Sequence, residues 1–180
     1  MRTKENYYGK RVAKYYDVVA YYDYDKVAKS FAPSIKGKKI LELGVGTGNV
    51  ALRLAKLGFE IDGIDNSAPM LNIARKKLGG KSVKSRVKFY LQSAADLKLM
   101  GPYDAVISQG GVLAWVGPNM ESYLKTKSAI SQLLSKIFDI LNKRGILVLS
   151  IQPPRPKLKL IPLKDRMIYS GTIKRRGNML

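Results

Sequence analysis

Apolar residues recur along this chain with two alternating periods. Val12, Tyr15, Tyr16, Val19 and Tyr22 are three or four apart and predict one stripe of an N-terminal helix. Asp25 stands where it can cap a second helix over KVAKSFA, which Pro33 closes. KKILEL then reads as a short strand running into Gly44-Val45-Gly46-Thr47-Gly48. Residues 49–57 follow as a helix with Val50, Leu54 and Leu57 on one side, ended by Gly58. FEIDGID predicts a strand, and 68–78 a helix entered through Ser67 and Pro69 and ended by Gly79-Gly80. VKFYL and YDAVIS are two more strands. Residues 122–141 form a long helix with Leu124, Ile130, Leu133, Leu134, Ile137 and Leu141 on its apolar side. GILVLSI is the most apolar strand and is therefore expected at the sheet centre.

Strands alternating with helices mean βαβ units, right-handed crossovers and a parallel sheet. The expected fold class is α/β: a three-layer, doubly wound, mostly parallel sheet. Ligands in such sheets sit at the carboxyl ends of the strands. The layout reads as an N-terminal helical lid over 1–36, a core over 37–152 and a basic C-terminal segment over 153–180, one domain overall. In the last segment PPRPK is loop, 167–174 is a strand and 175–178 a turn. Two residues remain beyond it, too few for a returning strand, so the C-terminal hairpin is expected to be incomplete. The flank of GILVLSI would then recruit either the 167–174 segment or a second copy, and the chain is expected to be a monomer or a homodimer.

Composition narrows the chemistry. The 180 residues contain no cysteine and no histidine. Disulfide frameworks, Cys or His zinc sites and histidine-based triads are excluded, and no metal is expected. No apolar run approaches the ~18 residues of a membrane span, and MRTKENYYGK lacks the apolar stretch of a secretory signal, so a cytoplasmic protein without a membrane partner is expected. The formal charge is +20. Arg75, Lys76, Lys77, Lys81, Lys84, Arg86 and Lys88 fall in one stretch without an acid. Such a surface keeps a protein dissolved and also permits nonspecific nucleic-acid binding.

A glycine at alternate positions between a strand and a helix lets a ligand approach the main chain closely. Asp65 ends the next strand, 21 residues after Gly44, where a carboxylate can accept both hydroxyl protons of a ribose. Together these two elements point to a nucleoside-containing cofactor without naming it. Two further elements are the Ser93-Ala94-Ala95-Asp96-Leu97 turn after the third strand and Ser108-Gln109-Gly110-Gly111 after the fourth. With them, Glu42 to Gly48, Gly63 to Ser67 with Met70-Leu71, Ala94 to Leu97 and Tyr103 to Ile107, the chain over about residues 12–152 resembles the class I S-adenosylmethionine-dependent methyltransferases.

The resemblance implies roles for particular residues. Gly44, Gly46 and Gly48 would floor the methionine moiety of S-adenosyl-L-methionine, later its product S-adenosyl-L-homocysteine. Glu42 would hold that loop or the amino end. Asp65 would bind the ribose hydroxyls, Asn66 would lie against the adenine, and Ser93 and Ala94 would cover the adenine edge. Gln109 would sit near the transferable methyl. The family often has an acid at the Ser93 position; serine accepts the same bond without charge, so weaker adenine contacts are expected. Asp96 is read as a cap for the following turn and Asp104 as a structural contact.

Tyr16, Tyr21, Gln109 and Trp115 are candidates for the acceptor side, with no catalytic residue assigned. The absence of histidine tilts the acceptor toward nitrogen or an already acidic oxygen. A small-molecule methyltransferase is the leading reading. An RNA or protein methyltransferase using the basic surface, or a cofactor-binding module without turnover, stands as the alternative. An NAD-dependent dehydrogenase is more distant, because no residue resembles that class's catalytic groups.

Overall fold

The computed structural model describes residues 8–19, 22–110, 112, 123–150, 159–163 and 166–170. The chain divides into two compact units, residues 1–150 and 151–180. In the first, α1 (Lys10–Val19) and α2 (Tyr24–Phe31) precede β1 (Lys39–Leu43). Then α3 (Asn49–Lys56), β2 (Glu60–Asp65), α4 (Ala68–Lys76), α5 (Lys81–Lys84), β3 (Val87–Leu91) and β4 (Tyr103–Ser108) alternate. The unit continues with α6 (Tyr123–Ile140) and β5 (Leu141–Leu149).

All four pairings in the sheet are parallel, in the order β3-β2-β1-β4-β5. Ile40 and Leu41 are both fully buried, although they point to opposite faces of β1. Ile40, Ile61 and Ile107 pack with Ala28 of α2, Val50 and Leu54 of α3 and Leu71 of α4. Leu41, Leu43 and Val106 pack with Leu133 and Ile137 of α6. These are the three layers expected for a sheet covered on both sides. No helix among the described residues is long and apolar enough to cross a membrane.

Several expectations are corrected. GILVLSI lies in β5 at one end of the strand order, and β1 is central. Apolar content misleads here because strand order follows the crossover connections, and β1 is central although it carries Glu42. The stripe of α1 is also displaced. Ala13 is its buried residue, whereas Tyr15 and Val19 are 52% and 75% exposed. In α6, Leu133, Ile137 and Ile140 are buried and Leu134 is turned outward. Leu141 already belongs to β5, opposite Tyr103, so helix and strand abut without a turn. The cap of α2 is Asp23, whose side chain accepts from Lys26 N at 2.9 Å; Asp25 instead pairs with Arg53 Nε at 3.1 Å.

The second unit holds an antiparallel hairpin, β6 (Lys159–Leu163) with β7 (Arg166–Ser170). The expected strand over 167–174 thus starts one residue earlier, and its partner precedes it. The alternation in KLKLIPL was hidden by the prolines around it. The expected turn at 175–178 lies outside the described residues.

Asp104 fastens the sheet at the end where β1 and β4 begin. Its Oδ2 accepts from Lys38 N at 2.8 Å and Lys39 N at 2.9 Å, and its Oδ1 from Asn142 Nδ2 at 2.6 Å. The Lys39 backbone bond leads the influences holding its carboxyl below the ordinary range; partial burial opposes them, and the Lys38 and Asn142 bonds add to them. A carboxyl with a lowered folded-state pKa stabilises above its unfolded pKa, and that contribution is lost as pH falls through the folded value. Asp104→Ala is expected to cost about 1–3 kcal/mol at pH 7. The gap from wild type should narrow as the pH drops below about 4, which urea unfolding at several pH values measures.

Candidate functional site

The first helix after β1 can start only where the chain turns sharply. At Gly48 the backbone is left-handed, with φ +78°, and a Cβ there would sit 3.1 Å from Ala74 Cβ and 3.3 Å from Phe89 Cζ. Gly48 therefore permits the turn and the close packing of α4 and β3 beneath it. Gly44 and Gly46 serve differently, because their main chain lines a cavity of about 240 Å³. A side chain at Gly44 would run into Val112 across that space.

The cavity lies at the carboxyl ends of β1, β2, β3 and β4. Besides Gly44 and Gly46 its walls include Asp65, Asn66, Met70, Gln92, Ser93, Ala94, Ala95, Gln109 and Gly110, with Tyr8 and Tyr16 from the N-terminal segment. The structure thus brings together seven of the nine residues expected to hold the cofactor. Gly48 supports the wall from behind. Glu42 lines a smaller adjoining cavity of about 40 Å³ with Tyr16, Tyr22, Tyr24 and Gln109. Among the acceptor-side candidates, Tyr16 and Gln109 border both spaces. Tyr21 and Trp115 lie outside the described residues.

Asp65 holds the glycine loop. Its Oδ2 accepts from Gly46 N at 2.9 Å and its Oδ1 from Ser67 N at 2.8 Å. Burial raises its pKa and those two backbone bonds pull it back. Each oxygen has a second lone pair to offer, so the carboxylate fits a pair of ligand hydroxyls. Ser67 also caps α4, accepting from Met70 N at 3.3 Å, and donates to the Tyr8 carbonyl at 2.6 Å. That bond carries Tyr8 to the cavity rim, where its ring meets Tyr16 edge-on at 5.9 Å.

Ser93 accepts from Ala95 N at 3.2 Å and so caps the short turn over Ala94–Asp96. Asp96 does not make the cap expected for a following turn, because residues 97–102 form no helix or turn. The Asp96 side chain points to solvent and pairs with Lys98 at 3.0 Å.

Glu42 is 2% exposed, and its Oε2 has no hydrogen-bond partner. Burial pushes its pKa up to about 8, against an opposing bond from the Ala51 backbone and with added repulsion from Asp65. Ser108 Oγ is likewise buried without a partner. The orphaned Glu42 oxygen, lining the smaller cavity with Gly44 and Gly46, and the Asp65 carboxylate with spare lone pairs in the larger one fit a ligand bearing hydroxyls and an amino group. No group of three or more potential metal ligands occurs among the described residues.

Tyr8, Gln92, Val112 and Asp17 were not singled out from the sequence. Gln92 adjoins Ser93 and was within reach of the same motif. Tyr8 and Asp17 carry no local signal, because their places depend on how the N-terminal segment folds back.

Comparison with known proteins gives the family and the fold. Residues 40–145 match the model of a family described as a methyltransferase domain. The chain is 31% identical over 139 residues to the putative methyltransferase YqeM of Bacillus subtilis (strain 168), covering 76% of this chain and 52% of that protein. It is 34% identical over 123 residues to a demethylmenaquinone methyltransferase of Thermus thermophilus, covering 67% and 50%. The CcbJ methyltransferase of Streptomyces caelestis superposes with a TM-score of 0.67 at 28% identity, over 81% of this chain and 58% of that one. The glycopeptide N-methyltransferase MtfA, solved with S-adenosyl-L-methionine, shares the fold with a TM-score of 0.60 at 20% identity, over 83% and 65%. The chain belongs to the methyltransferase-domain family, of the S-adenosylmethionine-dependent, Rossmann-like class. It spans about half the length of the curated relatives it matches.

Glu42 makes a pH test of this site. A raised pKa means that the folded state binds a proton the unfolded chain releases. The resulting stability is full below the unfolded pKa and is lost as pH rises toward about 8. Glu42→Gln keeps the shape and removes the titration. Its melting temperature relative to wild type should climb between pH 5 and pH 9 by several degrees, on the order of 1–2 kcal/mol in a domain this size. Calorimetric scans across that range check it; a pH-independent difference places the proton elsewhere.

Proposed function

We propose that the protein is an S-adenosylmethionine-dependent methyltransferase whose acceptor is a small molecule, methylated at nitrogen or at an acidic oxygen. The observation that carries the acceptor class is the composition of the cavity wall. Among the described residues it includes tyrosines, amides, a methionine and one carboxylate, but no lysine or arginine. An enzyme that presents a nucleic acid to its site positions it through phosphate contacts. In this chain Lys81, Lys84, Arg86 and Lys88 lie in α5 and at the start of β3, at the end of the strands opposite the cavity. The small-molecule part of this reading, though not the nitrogen or oxygen acceptor, is also supported by the Thermus relative, which is named for demethylmenaquinone.

When bound, S-adenosylmethionine supplies a methyl group on a positively charged sulfur, with a neutral leaving group. The chain's own work is then alignment and exclusion of water. Asp65 and the Gly44–Gly46 backbone would fix the nucleoside and its tail. Tyr8 and Tyr16 close one side of the cavity, and the Gln109 side chain offers both a donor and an acceptor to orient a polar substrate. Glu42, holding a proton up to about pH 8 and bordering the same space as Gln109, can keep or release that proton near neutrality. A neutral amine needs only a free lone pair, and an acidic hydroxyl arrives ionised, so neither acceptor requires the histidine that this chain lacks.

A second reading, methylation of RNA, draws on the +20 charge. Labelled cofactor distinguishes the two. Salt-sensitive, nonspecific RNA binding without stable incorporation of label into RNA is the expected result; label fixed at one RNA position reverses the ranking. The cofactor assignment has its own test. Asp65→Ala removes two charge-assisted bonds; the loss of even one, worth about 1.5–3 kcal/mol, should weaken S-adenosylhomocysteine binding by roughly ten- to a few hundred-fold, and that is the minimum expected. Titration calorimetry measures it, and unchanged affinity sinks the assignment.

A further inference from the structure

The N-terminal helix is held by very little apolar surface. Ala13 is the buried residue of α1, while Tyr15, Val18 and Val19 are 52%, 79% and 75% exposed. A helix of ten residues is shorter than the ~12–15 that make an isolated helix marginal in water. What fastens it is polar. Asp17, one residue past the cavity-lining Tyr16, accepts from Thr47 Oγ1 at 2.6 Å and from Asn49 Nδ2 at 2.8 Å. Its second oxygen pairs with Lys77 Nζ. Lys77 also donates to Asn49 Oδ1 at 3.1 Å, and Asn49 Nδ2 reaches Thr47 Oγ1 at 3.2 Å. Every member bonds at least two others. The ring joins α1, the glycine loop, the start of α3 and the residue following α4.

The members are placed where such a ring can count. Thr47 is 1% exposed, so its hydroxyl, once deprived of Asp17, would lose a partner that water does not readily replace. Burial pushes the Asp17 carboxyl up, but the bonds from Lys77, Thr47 and Asn49 outweigh it and leave it below the ordinary range. Lys77 belongs to the basic run at 75–88, yet it is only 28% exposed and turned toward Asp17. The ring is a partly sheltered network and not a lone surface pair, the arrangement in which ion pairs contribute measurably. A further side-chain bond between the N-terminal segment and the start of α4 runs from Ser67 to the Tyr8 carbonyl.

We propose that Asp17 is a positioning residue for the cofactor: its ring with Lys77, Asn49 and Thr47 clasps α1 onto the glycine loop, holds Tyr16 against the cavity and sets how long the cofactor stays bound. This rests on the reading that the cavity takes S-adenosylmethionine. A clasp that closes over a bound ligand slows its departure more than its arrival. Opening it frees α1 without dismantling the floor, because Gly46 is held separately by Asp65.

The test uses the full chain with S-adenosylhomocysteine as probe. Asp17→Asn and Lys77→Met should each raise its dissociation rate about tenfold, equivalent to ~1.4 kcal/mol, with association within about twofold of wild type. The double variant should dissociate no faster than the Asp17 variant, since both break one ring. Lys76→Met, the exposed neighbour, should behave as wild type. Amide hydrogen exchange over 10–19 should speed up in both clasp variants while exchange in β1 and β4 is unchanged. Wild-type binding with unaltered dissociation in the clasp variants overturns the proposal. If wild type fails to bind the probe, the cofactor reading falls, and the exchange measurement decides the clasp alone: unaltered protection over 10–19 overturns it.

Discussion

A single carboxylate at the end of β2 organises the ligand-facing side of this protein. Asp65 is half-buried, and a carboxylate so placed must find hydrogen-bond donors. It finds the backbone N–H groups of Gly46 and Ser67, one on each oxygen. The first bond pins the glycine loop, already anchored by Val45 N to the Ile64 carbonyl at 2.9 Å. The second sets the entry to α4, where Ser67 both caps the helix and reaches the Tyr8 carbonyl. Loop, helix start and N-terminal segment are therefore referred to one group. That group can only stand there because β1 and β2 pair in parallel register with Leu43 opposite Ile64.

Around that point the two ends of the sheet have separate tasks. At the carboxyl ends the chain leaves polar atoms unsatisfied, Glu42 Oε2 and Ser108 Oγ among them. At the opposite end it satisfies them fully: Asp104 gathers two backbone N–H groups and the Asn142 amide. Asp62, facing the α6 side of β2, is likewise paired, accepting from Tyr103 at 2.8 Å and Tyr90 at 3.3 Å. Unpaired buried groups cost stability, and one that borders a cavity, as Glu42 does, is the mark of a site kept for a ligand.

The N-terminal segment shows how a weakly packed element acquires a fixed place. α2 is anchored by Ala28 and by the partly buried Tyr24, Val27 and Phe31 against α3 and the sheet. α1 has no comparable apolar face and depends on Asp17. Elements attached by polar contacts open more easily than the core, which suits a segment that a ligand must pass.

Much of this was legible in the sequence. The glycine loop, Asp65, the Ser93 turn and Gln109 are contiguous motifs, each fixed by residues within a few positions of one another, and seven of the nine nominated cofactor residues line one cavity. The alternation of strands and helices determined a parallel sheet, since βαβ connections leave few other arrangements. Tertiary structure decided what depends on distant partners. It put β1 and not GILVLSI at the centre, because strand order follows crossovers and not hydrophobicity. It turned Tyr15 and Val19 outward and Ala13 inward, because the surface that meets α1 is small. It brought Asp17 to Thr47, Asn49 and Lys77, thirty to sixty residues away, and gave Glu42 its burial and its raised pKa. Local sequence specifies motifs because their geometry closes within a turn or two; which side chains share a ring or a cavity is set by how whole elements pack, and no short window contains that.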